Sequence, residues 1–166
     1  MKEIDLKKMQ SKSVINEIEV DKDSVYKFTQ DISSLETAEN LNLKFNFTVP
    51  DTKSLIDIRY VVRNFTIKPE KRDKTRSELK LTVKVVMKAP KSILGTQSNL
   101  MIRVINLSSK ANILIEPVLE IEEKNIDMDH KVTIGGIDHR QIHYFESRGI
   151  PRSTAKKLIV NGFLNG

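Results

Sequence analysis

Alternation of apolar and polar residues with a period of two dominates the first two thirds of the chain and restricts the folds open to it. The alternation is unbroken over residues 41–49 and returns over 56–62 and 79–85. Successive side chains of a β-strand point to opposite faces, so the pattern predicts strands with one buried face. Residues 100–107 and 112–121 are nearly continuous apolar runs, which are typical of strands covered on both faces. We therefore expect a mainly β body.

The connections between these predicted strands contain few Asn-Gly or Asp-Gly dipeptides, the usual signals of a tight hairpin. No segment between the strands has the pattern of a crossover helix. A β-sandwich and a solenoid of stacked strands both satisfy these observations. Periodicity alone does not choose between the two.

From residue 137 onward the pattern changes to that of helices. Asp138 is a favourable N-cap residue, and Gln141 three positions later completes a capping box. Gly149 is the residue type expected just beyond a helix end, and Pro151 suits the first position of a second helix. The second helix has an apolar stripe with helical spacing, formed by Ala155, Leu158, Ile159, Gly162 and Phe163.

The chain therefore divides into a predicted body, residues 1–136, and a predicted helical segment, residues 137–166. Ile142 and Phe145 of the first helix extend the apolar stripe, so both helices are expected to pack on the body. Five side chains outside the stripe are left available to a partner: Tyr144, Arg148, Arg152, Lys156 and Lys157. Tyr and Arg are among the residue types that most often anchor interfaces.

Composition narrows the possible classes of protein. Hydrophobic residues make up 39% of the 166 residues, enough for a packed core, and the net charge of +6 is a modest excess that chiefly favours solubility. The chain has no cysteine, which excludes disulfides, thiolate ligands and thiol nucleophiles from these residues. No apolar run has the length of a membrane span, and the N-terminal residues lack a signal-peptide core. We expect a soluble, cytoplasmic protein.

Residues capable of catalysis or metal binding are few. None of the sequence motifs of nucleotide-binding loops, zinc proteases or serine hydrolases is present, and we predict that the protein is not an enzyme. His139 and His143 have the spacing of two metal ligands on one helix face, but an exposed pair is the simpler interpretation. Asp127 and Asp129 both closely precede His130, a cluster that suits either a cation or a polar strand end.

Four motifs in the last third of the chain occur in the order and spacing found in one known family. They are PVLEI at 117–121, HKVTIG at 130–135, the helix start from Ile137 to Phe145, and SRGI at 147–150. Together they resemble the C-terminal end of the SufB/SufD family of iron–sulfur cluster assembly proteins. The resemblance is strongest over residues 111–163.

The resemblance implies a right-handed parallel β-helix (β-solenoid) with a small C-terminal helical pair. It also implies a scaffold subunit that pairs with a second SufB/SufD-like body, as a homodimer or a heterodimer. A SufC-like ABC-type ATPase would dock on the C-terminal helices, at the five side chains named above. His130 would be a ligand for a metal or for a transient iron–sulfur cluster at the dimer interface. Met128 stands where many members have cysteine and Lys131 where they have Gly or Glu, so we expect no cofactor that stays bound.

A DNA-binding protein is the alternative hypothesis. Residues 138–163 have the order helix, glycine turn, helix, and the segment 149–159 resembles the turn and recognition helix of IclR-type regulators. Arg152, Ser153 and Lys156, together with Lys157, would then face phosphates and bases. Strands rather than a helix precede this segment, and we keep the scaffold as the main hypothesis.

Overall fold

The computed structural model describes residues 2–3, 13–19, 25–32, 40–49, 53–62, 79–91, 96–108, 111–122 and 124–166. Within these residues the chain forms nine β-strands followed by two α-helices. The strands are β1 (Lys2–Glu3), β2 (Ser13–Glu19), β3 (Val25–Ile32), β4 (Asn40–Thr48), β5 (Lys53–Val62), β6 (Leu79–Ala89), β7 (Gln97–Asn106), β8 (Ala111–Ile121) and β9 (Asp127–Gly135). The helices are α1 (His139–Glu146) and α2 (Arg152–Asn165). The prediction of a mainly β body followed by two helices is confirmed.

Consecutive strands alternate between two sheets. The odd sheet has the order β1-β3-β5-β7-β9, and the even sheet has the order β2-β4-β6-β8. Each strand pairs in parallel with the strand two further along the chain. Parallel neighbours cannot be joined by a tight hairpin, because the chain must first return to the start of the next strand. This explains why the sequence has few hairpin signals: the chain crosses to the other sheet between paired strands.

The parallel register places apolar residues of neighbouring strands side by side. Ile58 of β5 lies beside Ile102 of β7, and Val83 of β6 lies beside Ile115 of β8. The alternating residues of both sheets form one apolar core, in which Ile58, Ile102 and Val83 have no exposed surface. The residues in between point outward, so the body has an outer face on each sheet.

Two polar features lie within this buried region. The hydroxyls of Ser54 and Ser98 are hydrogen bonded to each other at 2.7 Å across the β5–β7 pair. The hydroxyl of Tyr60 is buried and has no hydrogen-bond partner among the described residues. Burial raises the pKa of the Tyr60 hydroxyl above its ordinary value of 10, because the phenolate would lose its hydration.

The helix ends follow the sequence signals with small shifts. The side chain of Asp138 accepts a hydrogen bond of 2.9 Å from the backbone N–H of Arg140, so Asp138 is the N-cap as predicted. Gly149 has a φ of 78°, the left-handed conformation that favours glycine. The helix proper ends earlier, with Ser147 as C-cap. Pro151 is the N-cap of α2 rather than its first residue.

The packing stripe of α2 is rotated from the predicted one. Ala155 and Val160 are buried, whereas Leu158 is 46% exposed. The prediction that Leu158 packs on the body is therefore wrong, and Val160 takes that role. Helical spacing places Leu158 and Val160 on opposite margins of the apolar stripe. Which margin is covered depends on where the body lies relative to α2. In α1, Ile142 is buried as predicted.

A buried charged network joins α2 to the outer face of the odd sheet. Arg59 of β5 donates from Nε and Nη2 to Oδ2 of Asp57, at 2.9 and 2.7 Å. Arg103 of β7 donates from Nη2 to the same oxygen at 2.6 Å. Arg59 also donates from Nη1 to the backbone carbonyl of Phe163, near the end of α2, at 2.6 Å. We call Asp57, Arg59 and Arg103 the latch.

The charge state of the latch follows from its contacts. Burial by itself raises the pKa of the Asp57 carboxyl, but hydrogen bonds from Arg103 and Arg59, with their positive charges, outweigh it. The net result is a pKa below the ordinary value of 3.8. Asp57 is therefore ionised at neutral pH, and its charge is compensated by two guanidinium groups.

We predict that Tyr60→Phe leaves the fold intact and raises the free energy of unfolding by about 1 kcal/mol. The substitution removes a buried hydroxyl that has no partner among the described residues, and burying such a group is unfavourable. Urea unfolding measures the effect, with Tyr144→Phe at an exposed tyrosine as the control. Clear destabilisation by Tyr60→Phe would mean that the hydroxyl has a stabilising partner.

We predict that Asp57→Asn destabilises the protein at pH 7 by about 3 kcal/mol, because it leaves Arg59 buried without a counter-charge. The pKa of Asp57 is lower in the folded than in the unfolded chain. The carboxylate therefore contributes its full stabilisation above pH 3.8, and this is lost as the pH falls through the folded-state pKa. The gap between wild type and variant should narrow below that pH.

Urea unfolding between pH 7 and pH 2 tests this second prediction. Glu116→Gln, which removes an exposed carboxylate on β8, is the matched control and should leave the pH dependence unchanged. A constant gap between wild type and Asp57→Asn across the acid range would contradict the prediction.

Candidate functional site

A groove of about 830 Å³ lies between the helix pair and the odd sheet. One wall is α1, which contributes Arg140, Gln141, Tyr144 and Phe145. The rest of the lining is Ile159, Gly162 and Phe163 of α2 and Ile105 of β7. Ile105 lies on the outer face of β7, beside Val61 in the register. The groove is thus separate from the apolar core, and we call it the docking groove.

Tyr144 and Arg148 form a pair at the groove. The guanidinium carbon of Arg148 lies 4.4 Å from the centre of the Tyr144 ring, within the range of a cation–π contact. Tyr144 is 53% exposed and also makes an edge contact with Phe145, with ring centres 5.8 Å apart. These contacts orient a large exposed ring beside the groove before any partner binds.

The other predicted partner-binding residues lie on α2. Arg152, Lys156 and Lys157 are all exposed. Arg152 approaches the carboxylate of Glu146 at 3.9 Å, a loose ion pair across the turn between the helices. The structure therefore brings Tyr144 and Arg148 together, and places the three α2 cations along the neighbouring helix.

The charge of this end of the molecule favours an acidic partner. Residues 138–166 contain five basic and two acidic side chains. Both acids are paired with arginines: Asp138 with Arg140 at 2.9 Å, and Glu146 with Arg152 at 3.9 Å. Arg148, Lys156 and Lys157 are exposed on the same helical segment as the mainly apolar groove, so an acidic surface with an apolar protrusion would be complementary to this end.

His130 lies on β9, which is the last strand of the odd sheet and comes directly before α1 in the chain. In the register it is beside Leu100 of β7, and it shares the inward side of β9 with Met128 and Val132. Met128 and Val132 pack against the core, whereas His130 is exposed. The imidazole thus stands at the end of the core, where the described strands leave the sheet uncovered.

No metal site is formed by the described part of the chain: no three His, Cys, Asp or Glu side chains there are grouped so that they could hold an ion. His143 instead contacts Glu146 at 3.5 Å. The interpretation of His139 and His143 as an exposed pair agrees with this geometry. His130 can offer at most a single ligand atom to a metal from its position on β9.

The helices of the described residues are also too short and too polar to cross a membrane. α2 lies against β5 and β3 of the body, and α1 packs against α2.

The sequence did not predict the residues that attach α2 to the body or the residue of β7 that lines the groove. Asp57, Arg59 and Arg103 occupy outward positions in predicted strands, where charged residues are usually solvated. Ile105 also occupies an outward position. An apolar side chain at such a position is a signal, available from the sequence, that something covers the outer face. These roles depend on where α2 lies, which periodicity does not reveal.

The sequence of the chain is similar to those of known proteins. The family model described as "SUF system FeS cluster assembly, SufBD core domain" matches residues 33–163. The iron–sulfur cluster assembly protein SufD of Bacillus subtilis is 40% identical over 62 residues, which are 37% of this chain and 14% of that protein. SufD of Escherichia coli is 38% identical over 53 residues, 32% of this chain and 12% of that protein.

SufB of Bacillus subtilis is 27% identical over 85 residues, 51% of this chain and 18% of that protein. These matches span less than a fifth of each relative's own length. None of the comparisons supports the DNA-binding alternative. The family model matches most of the chain, including the strands that build the core and both helices of the docking groove. The chain therefore belongs to the SufB/SufD family of iron–sulfur cluster assembly proteins.

Proposed function

We propose that this protein is a non-catalytic, cytoplasmic scaffold subunit of a SUF-like iron–sulfur cluster assembly complex. It docks a SufC-like ABC-type ATPase on its C-terminal helices and pairs with a second SufB/SufD-like body. The observation that carries the proposal is the docking groove, an apolar and positively charged surface formed outside the core in a member of this family.

The groove has the composition of a protein-binding surface rather than of a catalytic pocket. Its lining is mainly aromatic and aliphatic, and the perturbed carboxyl of Asp57 lies beneath α2, neutralised by two arginines. Tyr144 and Arg148 are held against each other and exposed, as interface anchors are. Because the two side chains are already oriented, little conformational entropy would be lost when a partner binds.

The body is proposed to be a right-handed β-helix. Parallel pairing of every strand with the strand two further along supports stacked coils with two strands each. Crossover connections between parallel strands of one sheet are right-handed in about 98% of cases, because the strand twist favours that hand. The family assignment points the same way.

Pairing with a second body would cover the end of the sheets. In the described residues β8 and β9 are the last strands of their sheets. Ile121 and Ile134 on these strands are 44% and 46% exposed. Uncovered strand edges with apolar side chains favour association. A second SufB/SufD-like chain is the proposed occupant, either another copy of this chain or a related protein.

The nascent iron–sulfur cluster is proposed to be a cargo that passes through the assembly. His130 lies at the end of the core that the second body would cover, so its imidazole can supply one ligand to iron there. These 166 residues contain no cysteine, so thiolate ligands have to come from another protein or from a small thiol.

We predict that Tyr144→Ala combined with Arg148→Ala weakens binding of a SufC-like ATPase from the same organism by about 2–4 kcal/mol, if both side chains are anchors. Both side chains are exposed, so the melting temperature should change little. Calorimetric titration and thermal unfolding measure the two effects.

A pair of substitutions at Gly162 locates the contact in the groove. A Cβ added at Gly162 meets no atom within 4 Å, so Gly162→Ala should bind the ATPase as the wild type does. Gly162→Leu extends into the groove and should lower the affinity at least about ten-fold, equivalent to 1.4 kcal/mol. Equal binding by both variants would place the docking site elsewhere.

We predict that the purified chain is a dimer at micromolar concentration, and that Ile121→Lys with Ile134→Lys weakens the dimer at least about ten-fold. Two charges at an apolar interface lose hydration when the bodies pair. Light scattering over a concentration series measures the change.

Val25→Lys is the matched control for the dimer, since Val25 is 47% exposed but lies on β3, which is separated from β9 by two strands. It should leave the dimer unchanged. A monomeric wild-type chain, which still binds the ATPase, would contradict self-pairing and leave a heterodimer as the arrangement to test with a SufB-type protein.

A further inference from the structure

The C-terminal end of α2 receives its positive charge from the body rather than from the helix itself. The last carbonyl groups of a helix carry a partial negative charge and lack partners within the helix. The last turn of α2 contains no basic residue. Arg59 of β5 supplies both the charge and the donor, through the 2.6 Å hydrogen bond from Nη1 to the carbonyl of Phe163.

Arg59 is held in this orientation by the rest of the latch. Nε and Nη2 of Arg59 both donate to Asp57. The third nitrogen, Nη1, donates to the carbonyl of Phe163. Arg103 binds the same carboxylate through Nη2 and, more weakly, through Nε at 3.3 Å. The side chains of Asp57 and Arg59 are each only 8% exposed. The guanidinium of Arg59 therefore has little freedom to turn away from α2.

The latch adjoins the docking groove through two residues. Phe163 accepts the hydrogen bond of Arg59 and also lines the groove, and its ring centre is 5.9 Å from the Arg59 guanidinium carbon. Ile105, which lines the groove from the body, is two residues beyond Arg103 on the same outward side of β7. The position of Phe163 relative to Ile105 determines the width of the groove at this end.

We infer that Arg59 is a positioning residue for partner docking: held by Asp57 and Arg103, it fixes the end of α2 on the body and so sets the shape of the docking groove. The docking part of this inference rests on the proposed function. A partner that moves the helix pair would also act directly on β5 and β7 through the latch. β7 is in turn paired with β9, the strand that carries His130.

Stability alone does not account for the chemistry of the latch. A buried ion pair contributes little more than well-packed apolar residues of the same volume, because the charges lose their hydration. A charged network does impose one geometry, since the planar guanidinium must match a carboxylate and a carbonyl together. Fixed geometry is what a preformed binding surface requires.

The test compares Arg59→Gln, Arg59→Lys and the wild type in three measurements. Hydrogen exchange of the amides of residues 160–166 reports the attachment of α2. The methyl resonances of Ile105 and Ile159 report the shape of the groove. Calorimetry with the SufC-like ATPase reports docking. Lys84→Ala, an exposed cation on β6 of the even sheet, is the control.

We expect Arg59→Gln to accelerate exchange in residues 160–166 at least about ten-fold, to shift both methyl resonances, and to lower the affinity about ten-fold. Exchange in β5 and β7 should stay slow. Arg59→Lys keeps the charge and one donor but not the fork, so it should recover part of each effect. Lys84→Ala should match the wild type throughout.

Unchanged exchange and unchanged methyl resonances in Arg59→Gln would overturn the inference, as would a loosened α2 with wild-type affinity. If Arg59→Gln does not fold, Arg59→Lys, which keeps a cation beside Asp57, is compared with the wild type in its place. A wild-type chain that binds no ATPase removes the proposed docking function. The positioning role of Arg59 is then judged by the exchange and methyl measurements alone.

Discussion

Parallel pairing of each strand with the strand two further along the chain is the constraint on which the rest of this structure depends. The register keeps inward residues beside inward residues from β4 to β9, so one apolar core runs between the two sheets. It also leaves two outer faces and uncovered terminal strands. An outer face can receive a helix pair without disturbing the core, and the terminal strands offer a surface for another chain.

The residues that attach the helix pair to the outer face are different from those that line the docking groove, apart from Phe163. Buried side chains of α1 and α2, such as Ile142 and Val160, pack inward, and the latch holds the end of α2 to β5. The aromatic and basic side chains of the docking groove are left facing outward. Since attachment does not use these side chains, they remain available for the proposed docking.

The odd sheet connects the two proposed interfaces. β7 carries Arg103 and Ile105 on its outer side, under the helix pair, and is hydrogen bonded to β9 with His130 along its edge. A displacement of the helix pair that moves β7 would therefore act on the strand that is paired with β9. This is a short physical path between the proposed ATPase contact and the place proposed for the cluster cargo, and it passes entirely through paired strands.

Local sequence signals predicted the mainly β body with five of its strands, the helix pair and the family resemblance. The period-two pattern predicts strands with one buried face, Asp138 marks the start of α1, and the motifs between residues 117 and 150 carry the resemblance. Only the tertiary structure decided which side of α2 is covered, so that Val160 rather than Leu158 is buried. It also decided that Asp57, Arg59 and Arg103 form a latch instead of lying solvated on an outer face. Residues 57, 103 and 163 are far apart in the chain, and the pattern along a strand does not specify what covers its outer face.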